Sequence, residues 1–461
     1  MCIRDSLYAT PRLSTSNGVY QTVGAANYYL VNSSTNRQAG VTNINPTLLK
    51  ALRSRTTCPP LVMDSSNITA TTTWSPLAQR ITGIPDLGFA YDPLDYLCRQ
   101  ITVTGQTLIL TNGVAVGFFG AIGIDLSGGN STIIGQGRPE AMNRLVWYPA
   151  VQEQPTKLNN ISTSGSVLLE TGNGTTPKTI QLRFTELPMQ GIQQSLWSSW
   201  VTPYCRVSLS LKDCWLHALN VTSSFYYQDC TNTMPVTLQN NLVERCTLSL
   251  YNGWDYDSGG VNHITIPLAA NLYNNLFRRG ALTLTYKDRW ATIHPAWAIK
   301  DNLFDNTTIS FTTDGSYLTY VARSNNGFYN TSTNQLQGTN NVVLTSLAYS
   351  SGALGPWYIG SASPTLVDAG SRYATNAALF HYTILTSQVK ETNTVVDVSF
   401  HYVAVDANGI PQDYDGDGLP DYLEDANGNG AVNTGETDWR AYNSPNGLTG
   451  GDGLRVFTPL K

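Results

Sequence analysis

Residues 413–436, DYDGDGLPDYLEDANGNGAVNTGE, have the residue types and spacing that most clearly point to chemistry. They hold seven carboxylates and three asparagines, in a chain of which only 13% is charged. Carboxylates this close repel one another unless a cation lies among them. Their spacing follows the oxygen-ligand pattern for Ca²⁺, which takes acidic or amide side chains at loop positions 1, 3, 5 and 9, Gly at 6, a carbonyl at 7 and Glu at 12.

The pattern occurs twice in succession. Gly418 and Gly430 stand at the sixth position of the two loops, where glycine permits the sharp turn that aims the oxygens inward. The first loop carries five carboxylates and the second two, so we expect the first to bind Ca²⁺ more tightly. The alternative, a disordered acidic linker without metal, does not explain the repeated glycine and amide positions. The predicted ligands are Asp413, Asp415, Asp417, the Leu419 carbonyl, Asp421 and Glu424 in the first loop, and Asp425, Asn427, Asn429, the Ala431 carbonyl, Asn433 and Glu436 in the second.

The second loop begins at the residue after Glu424, which leaves no room for a full helix between the loops. In this tandem arrangement the segment resembles the thrombospondin type 3 repeats and their bacterial relatives. The resemblance implies that Ca²⁺ takes the place of a hydrophobic core in residues 406–440, which we call the acidic segment.

A second group of residues has side chains suited to sugar chemistry. The stretch YNGWDYDSGGVNH, residues 251–263, places two aspartates two positions apart, so both carboxylates face one side of an extended chain. A basic residue of the following YKDRW would be the base of a lyase, and aromatic rings would stack on sugars. The alternative, a polar loop whose aromatics pack on the flank of the fold, is preferred. The candidates are Asp255, Asp257, Lys287 and Arg289 for catalysis, and Trp254, Tyr256 and Trp290 for substrate binding.

The elements that must position these residues are repetitive. NLVERCTLSL from Asn241, NLFRRGALTL from Asn275 and NLFDNTTISF from Asn302 align in register, and NGFYN from Asn326 is a fainter copy. The second, seventh and ninth residues after each Asn are apolar and the eighth is polar, which is the period-two pattern of a strand with one buried face. The copies start 34, 27 and 24 residues apart, which indicates rungs of a β-solenoid, with Asn side chains bonded from rung to rung. The alternative is isolated turns of a β-sandwich.

These repeats, with GIDLSGGNSTIIGQG at 123–137 and SPTLVDAGS at 363–371, resemble the right-handed parallel β-helix superfamily of pectate-lyase-like solenoids over roughly residues 98–371. The fold class that the resemblance implies is all-β, a right-handed parallel β-helix followed by a short calcium-binding segment. Secreted bacterial proteins of several solenoid stretches ending in DxDGDGLPDYxED are similar to the whole chain.

A longer repeat suggests how the chain is divided. PDLGFAYDPLDY at 85–96 and VDVSFHYVAVD at 396–406 share D-[LV]-[GS]-F-x-Y-x3-D, and SSTNRQAG and SPTLVDAG lie upstream of them. Both sets are interpreted as the closing unit of a solenoid. The predicted division is 1–97, the end of a truncated upstream solenoid with its closing unit; 98–405, a parallel β-helix with its closing unit; 406–440, the tandem calcium-binding loops; and 441–461, a C-terminal tail.

Composition limits the choice of partners and location. The 461 residues are 41% hydrophobic, enough for a substantial core. From Asp406 to the end there are ten acidic and three basic residues, and the whole chain carries −5, so residues 1–405 carry +2. That balance argues against nucleic-acid binding, and no apolar stretch is long enough to span a membrane. The first six residues resemble the spurious leader of metagenomic fragments, so we expect the true N-terminus and its signal peptide to lie upstream.

Seven cysteines show no metal-binding spacing. Six of them would be able to form disulfides outside a cell, but Cys214 and Cys246 fall inside predicted rungs, and we expect those two to be buried thiols. The scattered histidines at 263, 294, 381 and 401 receive no catalytic role.

Two classes of function follow from these observations. The preferred one is a secreted or cell-surface protein, expected to be monomeric, with a structural, adhesive or glycan-binding role and a C-terminal segment stabilised by Ca²⁺. Its partner would be a polysaccharide or cell-surface glycan meeting the charge-poor polar faces of the solenoid. The alternative is a polysaccharide lyase or glycoside hydrolase of the β-helix type.

Overall fold

The structure is a computed structural model. It describes residues 17–74, 78–126, 128–148, 151–153, 166–170, 176–188, 194–198, 207–222, 233–256, 263–287, 294–313, 317–359 and 363–442. Within these ranges the chain is built mainly of short strands, and the longest helix has eight residues.

Three long sheets, A, B and C, take up the strands of the chain in turn, so that each A–B–C passage is one coil of a parallel β-helix. Neighbouring strands of each sheet are parallel, which stacks successive coils at the usual inter-strand spacing of about 4.8 Å. Sheet A comprises Thr107–Leu110, Thr132–Gln136, Lys178–Arg183, Val207–Lys212, Met234–Gln239, Leu268–Tyr273, Trp297–Lys300 and Val321–Ser324. Sheet B comprises Leu61–Asp64, Tyr96–Arg99, Ala115–Phe118, Asn143–Trp147, Thr185–Pro188, Trp215–His217, Leu242–Glu244, Leu276–Arg278, Leu303–Asp305, Gly327–Tyr329 and Val342–Leu344. Sheet C comprises Asn67–Ile68, Ile101–Val103, Ile122–Asp125, Ser166–Glu170, Gln194–Ser198, Asn220–Thr222, Thr247–Tyr256, Ala281–Tyr286 and Thr308–Thr313, with His263–Ile266 antiparallel to Thr247–Tyr256.

The interior of the coil is lined by the apolar positions of the sequence repeat. Leu250 pairs with Leu284, and Leu284 pairs with Phe311, in the register that the repeat predicts. Leu250 and Leu284 are buried and Phe311 packs partly buried against the same core. In sheet B the rings of Phe277 and Phe304 stack with centroids 5.2 Å apart. Burying each such side chain contributes about 1.5–3 kcal/mol, so the apolar interior holds the coil together. The three parallel sheets around this interior confirm the predicted parallel β-helix as the fold.

The asparagines of the repeat form a buried ladder at the turn from sheet A to sheet B. The backbone N–H of Asn241 donates to Oδ1 of Asn275 at 2.9 Å, that of Asn275 to Asn302 at 3.1 Å, and that of Asn302 to Asn326 at 3.1 Å. Each side-chain amide also donates to a carbonyl of the preceding rung, as Asn275 does to Leu238 at 2.8 Å. The predicted rung-to-rung bonding of these asparagines is therefore confirmed.

A second row of polar residues precedes the ladder by one position and was missed in the sequence. Asn240, Asn274, Asp301 and Asn325 have left-handed backbone angles, with φ of 55°, 52°, 62° and 55°. Asn and Asp tolerate this conformation better than other residues with side chains. We call this set the corner row, and it faces the C-terminal closing unit.

The two segments that share the longer sequence repeat have the same internal bonding. We call residues 20–94 the N-module and residues 349–405 the C-module. Gln38 N–H donates to Oδ1 of Asp86 in the N-module, and Asp368 N–H donates to Oδ1 of Asp397 in the C-module, both at 2.6 Å. Both donor residues have φ near 50°, at 50° and 53°. The repeat noted in the sequence is thus a repeat of structure.

Aromatic packing in the two modules also corresponds. The rings of Tyr29 and Tyr91 lie 4.5 Å apart in the N-module, and those of Tyr358 and Tyr402 lie 4.2 Å apart in the C-module. In each module the second tyrosine hydroxyl accepts a backbone N–H at 3.2 Å. The antiparallel strand pairs of the modules are Tyr20–Val23 with Ala26–Leu30, Tyr349–Gly352 with Gly355–Ile359, and Tyr382–Thr383 with Tyr402–Val403.

The modules are placed differently on the solenoid. The C-module folds back along its flank, where Asn274 donates to the Asp397 carbonyl at 3.0 Å and Asp301 accepts from Arg372 at 2.9 Å. The N-module meets the first rungs, and strand Leu61–Asp64 from this part of the chain already belongs to sheet B. The division into domains at residues 97, 405 and 440 stays a prediction. The helices are Pro46–Arg53, Ala374–Ala377 and Asp421–Glu424, and the 3-10 turns are Leu318–Tyr320 and Pro364–Leu366.

Buried thiols occur where the rungs predicted them. Cys214 and Cys246 are 0% and 3% exposed and are free cysteines. Burial raises the pKa of both thiols to about 12, so neither is reactive near neutral pH. Cys58 and Cys98 are also free, while Cys2, Cys205 and Cys230 lie outside the described residues.

Candidate functional site

The acidic segment lies against the C-module through two carboxylates that the spacing assigned to Ca²⁺. The Lys390 ammonium donates to Oδ2 of Asp421, and Nε2 of His381 lies 3.0 Å from Oδ2 of Asp425. The indole of Trp439 covers this contact, 5.0 Å from the His381 ring and 5.8 Å from Lys390 Nζ. Because both aspartates are buried, these contacts fix the segment to the module independently of any metal.

The first loop brings three of its predicted ligands together. One carboxylate oxygen from each of Asp413, Asp415 and Asp417 lies within 4.8 Å of the others. Asp413 accepts backbone N–H bonds from Gly416 at 2.8 Å and Gly418 at 2.9 Å, which close the loop. Oδ2 of Asp415 is shielded from solvent and has no hydrogen-bond partner among the described residues. Burial, together with the neighbouring carboxylates, raises the pKa of Asp415.

The second loop is closed by bonds of the same kind. Asp425 accepts N–H bonds from Asn429 at 3.0 Å and Gly430 at 2.6 Å, while Glu436 accepts from Asn427 at 2.9 Å and Asn433 at 3.0 Å. The first and last predicted ligands of this loop are thus both bonded to backbone groups within the loop. The helix Asp421–Glu424 forms the end of the first loop, directly before the second loop begins at Asp425.

A groove on the outer face of sheet A was missed in the sequence. Its volume is about 540 Å³, and Leu423 of the acidic segment lines it together with residues of sheet A. Two outward rows of that sheet provide most of its floor. They are Gln136, Arg183 and Lys212, and Ile134, Gln181 and Ser210, each paired in register from rung to rung.

The cations of the groove differ in how they are compensated. Arg183 bonds Oδ2 of Asp213 through Nε at 3.0 Å and the Tyr382 hydroxyl through Nη2 at 3.0 Å. Lys212 Nζ reaches the Ala378 carbonyl at 3.5 Å. Burial lowers the pKa of Lys212 to about 8, so its amine is partly uncharged in mildly alkaline solution. Arg183 is thus held in place as a positioned donor, and Lys212 is the titratable group of the groove.

The acidic segment and the groove share a wall. Tyr422 packs edge-on against Phe184, with ring centroids 5.6 Å apart, and the Arg183 guanidinium lies 5.5 Å from the Tyr422 ring. Leu423, the next residue of the same helix, lines the groove. Any rearrangement of the helix therefore alters the shape of the groove.

A second groove continues the first. Its volume is about 570 Å³ and it shares Thr111 and Gln136 with the first groove. Trp74 and Tyr96 line it, with ring centroids 5.4 Å apart. Together the grooves offer amides, hydroxyls and an aromatic surface over several rungs.

The aromatic and acidic loop named from the sequence is placed elsewhere. Trp254, Asp255 and Tyr256 end a strand of sheet C, and their side chains lie outside the described part of the structure. Asp257, Arg289 and Trp290 also lie outside the described residues. Lys287 follows the neighbouring strand, with its N–H donating to the Asn252 carbonyl at 2.8 Å. All these candidates stay predictions, and the strand Thr247–Tyr256 that contains the first three belongs to a different sheet from the groove.

The groove residues left a weak signal in the sequence. Polar residues alternate with leucines in VSLSLK, residues 207–212, as in every half-buried strand. Nothing in that alternation distinguishes an open face from one that a module covers, which is why the groove was not predicted.

The class of protein that this architecture defines is the parallel β-helix. No protein-family model and no curated protein matches the chain. Among solved structures, the crystal structure of the Dettilon tailspike protein is similar at 11% sequence identity, over 55% of this chain and 66% of that one, with a TM-score of 0.14. The chain thus spans just under two thirds of that structure. Among the described residues, no helix has the length and apolar character needed to cross a membrane.

Proposed function

We propose that this is a secreted or cell-surface β-helix protein that binds a polysaccharide along sheet A and carries a C-terminal segment stabilised by Ca²⁺. The observation that carries the proposal is the pair of adjoining grooves, about 540 and 570 Å³, of which the first lies on the outer face of sheet A and the second at the first strand of that sheet. Each lies in the size range of ligand sites. Rows of side chains repeating at about 4.8 Å suit an extended polymer better than a compact ligand.

The side chains of the grooves suit neutral or acidic sugars. Gln136, Gln181 and Ser210 offer amide and hydroxyl groups for sugar hydroxyls, and Trp74 offers a ring face. Lys212 adds a positive charge below pH 8. The remaining contacts with a glycan would come from the first four strands of sheet A, which line the grooves.

The residues of the acidic segment fit Ca²⁺. Asp413, Asp415 and Asp417 offer hard oxygen ligands around one point, and the shielded Oδ2 of Asp415 lacks a partner that a cation would supply. Asp421 is bonded to Lys390 and stands at the ninth position, which often contributes through water. When bound, Ca²⁺ would neutralise the clustered carboxylates and tie Glu424, at the end of the helix, to the start of the loop.

The proposal is tested with soluble polysaccharides, neutral and acidic, by affinity electrophoresis and calorimetry. Ser210→Trp fills the groove and should abolish binding. Thr283→Trp is the matched control, because Thr283 is the outward residue between the buried Leu282 and Leu284 of sheet C. Binding that survives Ser210→Trp, or is lost equally in both variants, contradicts a site on sheet A.

A β-helix polysaccharide lyase is the second candidate, favoured by one observation. Lys212 combines a pKa of about 8 with a place in the groove, and an uncharged amine can remove a proton from a sugar carbon next to a carboxylate. Release of unsaturated ends by the unaltered protein, absent in Lys212→Met, would establish this activity. Binding without such release supports the first candidate.

A further inference from the structure

Three buried side chains of the C-module meet at a point that the proposed function does not use. Glu391, Asp397 and His401 are 5%, 5% and 1% exposed. One possible ligand atom from each lies within 4.8 Å of the other two, and Nε2 of His401 is 3.0 Å from Oε1 of Glu391. Two acids and one imidazole thus share a site closed to solvent.

The hydrogen bond made by Nδ1 of His401 determines the tautomer of the ring, and so whether Nε2 presents a proton or a lone pair to the acids. Nδ1 of His401 lies 2.9 Å from the carbonyl oxygen of Ser399, which can only accept a hydrogen bond, so we assign the proton to Nδ1. With its proton on Nδ1, the neutral imidazole carries its lone pair on Nε2. The lone pair on Nε2 therefore faces Glu391. A histidine that binds a metal typically donates its other N–H to a carbonyl in this way.

Comparison of the two modules shows that, among the described residues, no arginine or lysine pairs with Asp397 of the C-module. Asp86 of the N-module is the counterpart of Asp397, and the Arg37 guanidinium lies 3.7 Å from its Oδ2. Val367 precedes Asp368 in the C-module as Arg37 precedes Gln38 in the N-module. The aspartate that the N-module compensates with a fixed charge therefore has no arginine in the C-module.

The other cations of the C-module are used elsewhere. Its sequence contains one arginine and one lysine. Arg372 is paired with Asp301 at 2.9 Å and Lys390 with Asp421.

A further oxygen lies between two of these residues in the sequence. Ser399 is fully buried, and its hydroxyl has no hydrogen-bond partner in the described part of the chain. Its φ is 136°, and its counterpart in the N-module is Gly88, with φ of 139°. The C-module thus places a polar side chain where its duplicate has glycine.

We propose that Glu391, Asp397 and His401 form a binding site for a divalent transition metal ion of the Zn²⁺ class. One nitrogen and two oxygens suit Zn²⁺, whereas Ca²⁺ prefers oxygen alone. The 3.0 Å between Nε2 of His401 and Oε1 of Glu391 is close to the separation of about 3.3 Å between ligands of a tetrahedral zinc ion.

The site would hold the C-module on the solenoid. His401 bonds Asn240 of the corner row through its backbone, and the Asp397 carbonyl accepts from Asn274. A metal that joins Glu391 to Asp397 and His401 would therefore stabilise the part of the C-module that contacts the corner row. Its role is structural, and it is separate from Ca²⁺ in the acidic segment.

The test measures metal content and stability in the full chain. Protein freed of metal by chelation is saturated with Ca²⁺ and then titrated with Zn²⁺, by calorimetry and by elemental analysis after gel filtration. We expect one equivalent of Zn²⁺ and a higher melting temperature. The bound equivalent should be lost in Glu391→Gln and Asp397→Asn. It should be retained in Asp86→Asn, the duplicate position, and in Asp415→Ala of the acidic segment.

Zn²⁺ that fails to bind the unaltered protein, or that persists in Asp397→Asn, overturns the proposal. Zn²⁺ that disappears in Asp415→Ala assigns the metal to the acidic segment and overturns it as well. Should the site variants fail to fold, X-ray absorption of the unaltered zinc-loaded protein decides the question. A shell containing imidazole nitrogen supports the site, and a shell of oxygen alone refutes it.

Discussion

The side chain of Asn240 bonds both backbone groups of His401, 161 residues further along the chain. Its amide donates to the His401 carbonyl at 2.9 Å, and its Oδ1 accepts the His401 N–H at 2.6 Å. Asn240 itself is buried and has the left-handed backbone angle of the corner row. This pairing makes the C-module an integral part of the flank of the solenoid.

Replacing Asn240 should loosen the C-module. Asn240→Gly keeps a residue that accepts positive φ but leaves the two backbone groups of His401 without partners, at a cost of about 1–3 kcal/mol. Asn240→Ala should cost about 1 kcal/mol more because of the backbone angle. Urea denaturation measures both free energies of unfolding. Equal stability of Asn240→Gly and the unaltered protein contradicts a role of this side chain in docking.

Substituting an asparagine in the middle of the ladder should lower the stability of the protein more than substituting one at its end. Asn275 bonds both neighbouring asparagines and is fully buried, so Asn275→Ala should cost about 2–4 kcal/mol. Asn341 ends the ladder and is half-buried, and Asn341→Ala should cost clearly less. The comparison is made by thermal and chemical denaturation. Similar losses in the two variants argue against a cooperative ladder.

The lowered pKa of Lys212 should be visible in how the stability of the protein changes with pH. Its folded pKa of about 8 lies below the ordinary 10.5, so the unfolded chain binds more protons between these values. The free energy of unfolding therefore rises between pH 8 and 10.5 as the amine loses its proton. Below pH 8 the buried amine is charged, and it destabilises the folded state by its full amount. Lys212→Met should raise stability at pH 7 by up to about 3 kcal/mol and lose that advantage near pH 10.5.

Lys300→Met is the matched control for Lys212, because Lys300 lies in the same row of sheet A beyond the groove. Its effect at pH 7 should be clearly smaller. An advantage of Lys212→Met that does not change with pH refutes the buried amine as its cause.

Removal of Ca²⁺ should loosen residues 406–440 and leave the solenoid folded. Extracellular calcium modules commonly bind with Kd of order 0.1–1 mM, so chelation is effective at modest concentration. Asp415→Ala should reproduce the effect in the presence of Ca²⁺, and Asp438→Ala, outside the loops, should not. Limited proteolysis and hydrogen exchange of the segment report the change. Equal cleavage with and without chelator counts against a Ca²⁺ role.

Part of this architecture follows from the sequence. Val243, Phe277 and Phe304 recur at one position of the repeat, and strands in register must stack such residues on one another. The same periodicity places Asn241, Asn275 and Asn302 above one another and Cys214 and Cys246 in the core. Predictions of this kind succeed because a solenoid depends on contacts between neighbouring repeats, and their spacing is written along the chain.

The tertiary structure decided where the modules lie and which faces stay open. His401 contacts Asn240, Tyr382 contacts Asp213 and Leu423 lines the groove. The sequence separations of these contacts bear no relation to the spacing of the repeats. A polar strand face has the same alternation whether a module, solvent or a ligand covers it. The sequence by itself therefore determined the coil, its dry interior and the spacing of the acidic loops. The contacts of Asp421 with Lys390 and of Glu391 with His401 were visible only in the tertiary structure, because they depend on how the C-module and the acidic segment fold against the solenoid.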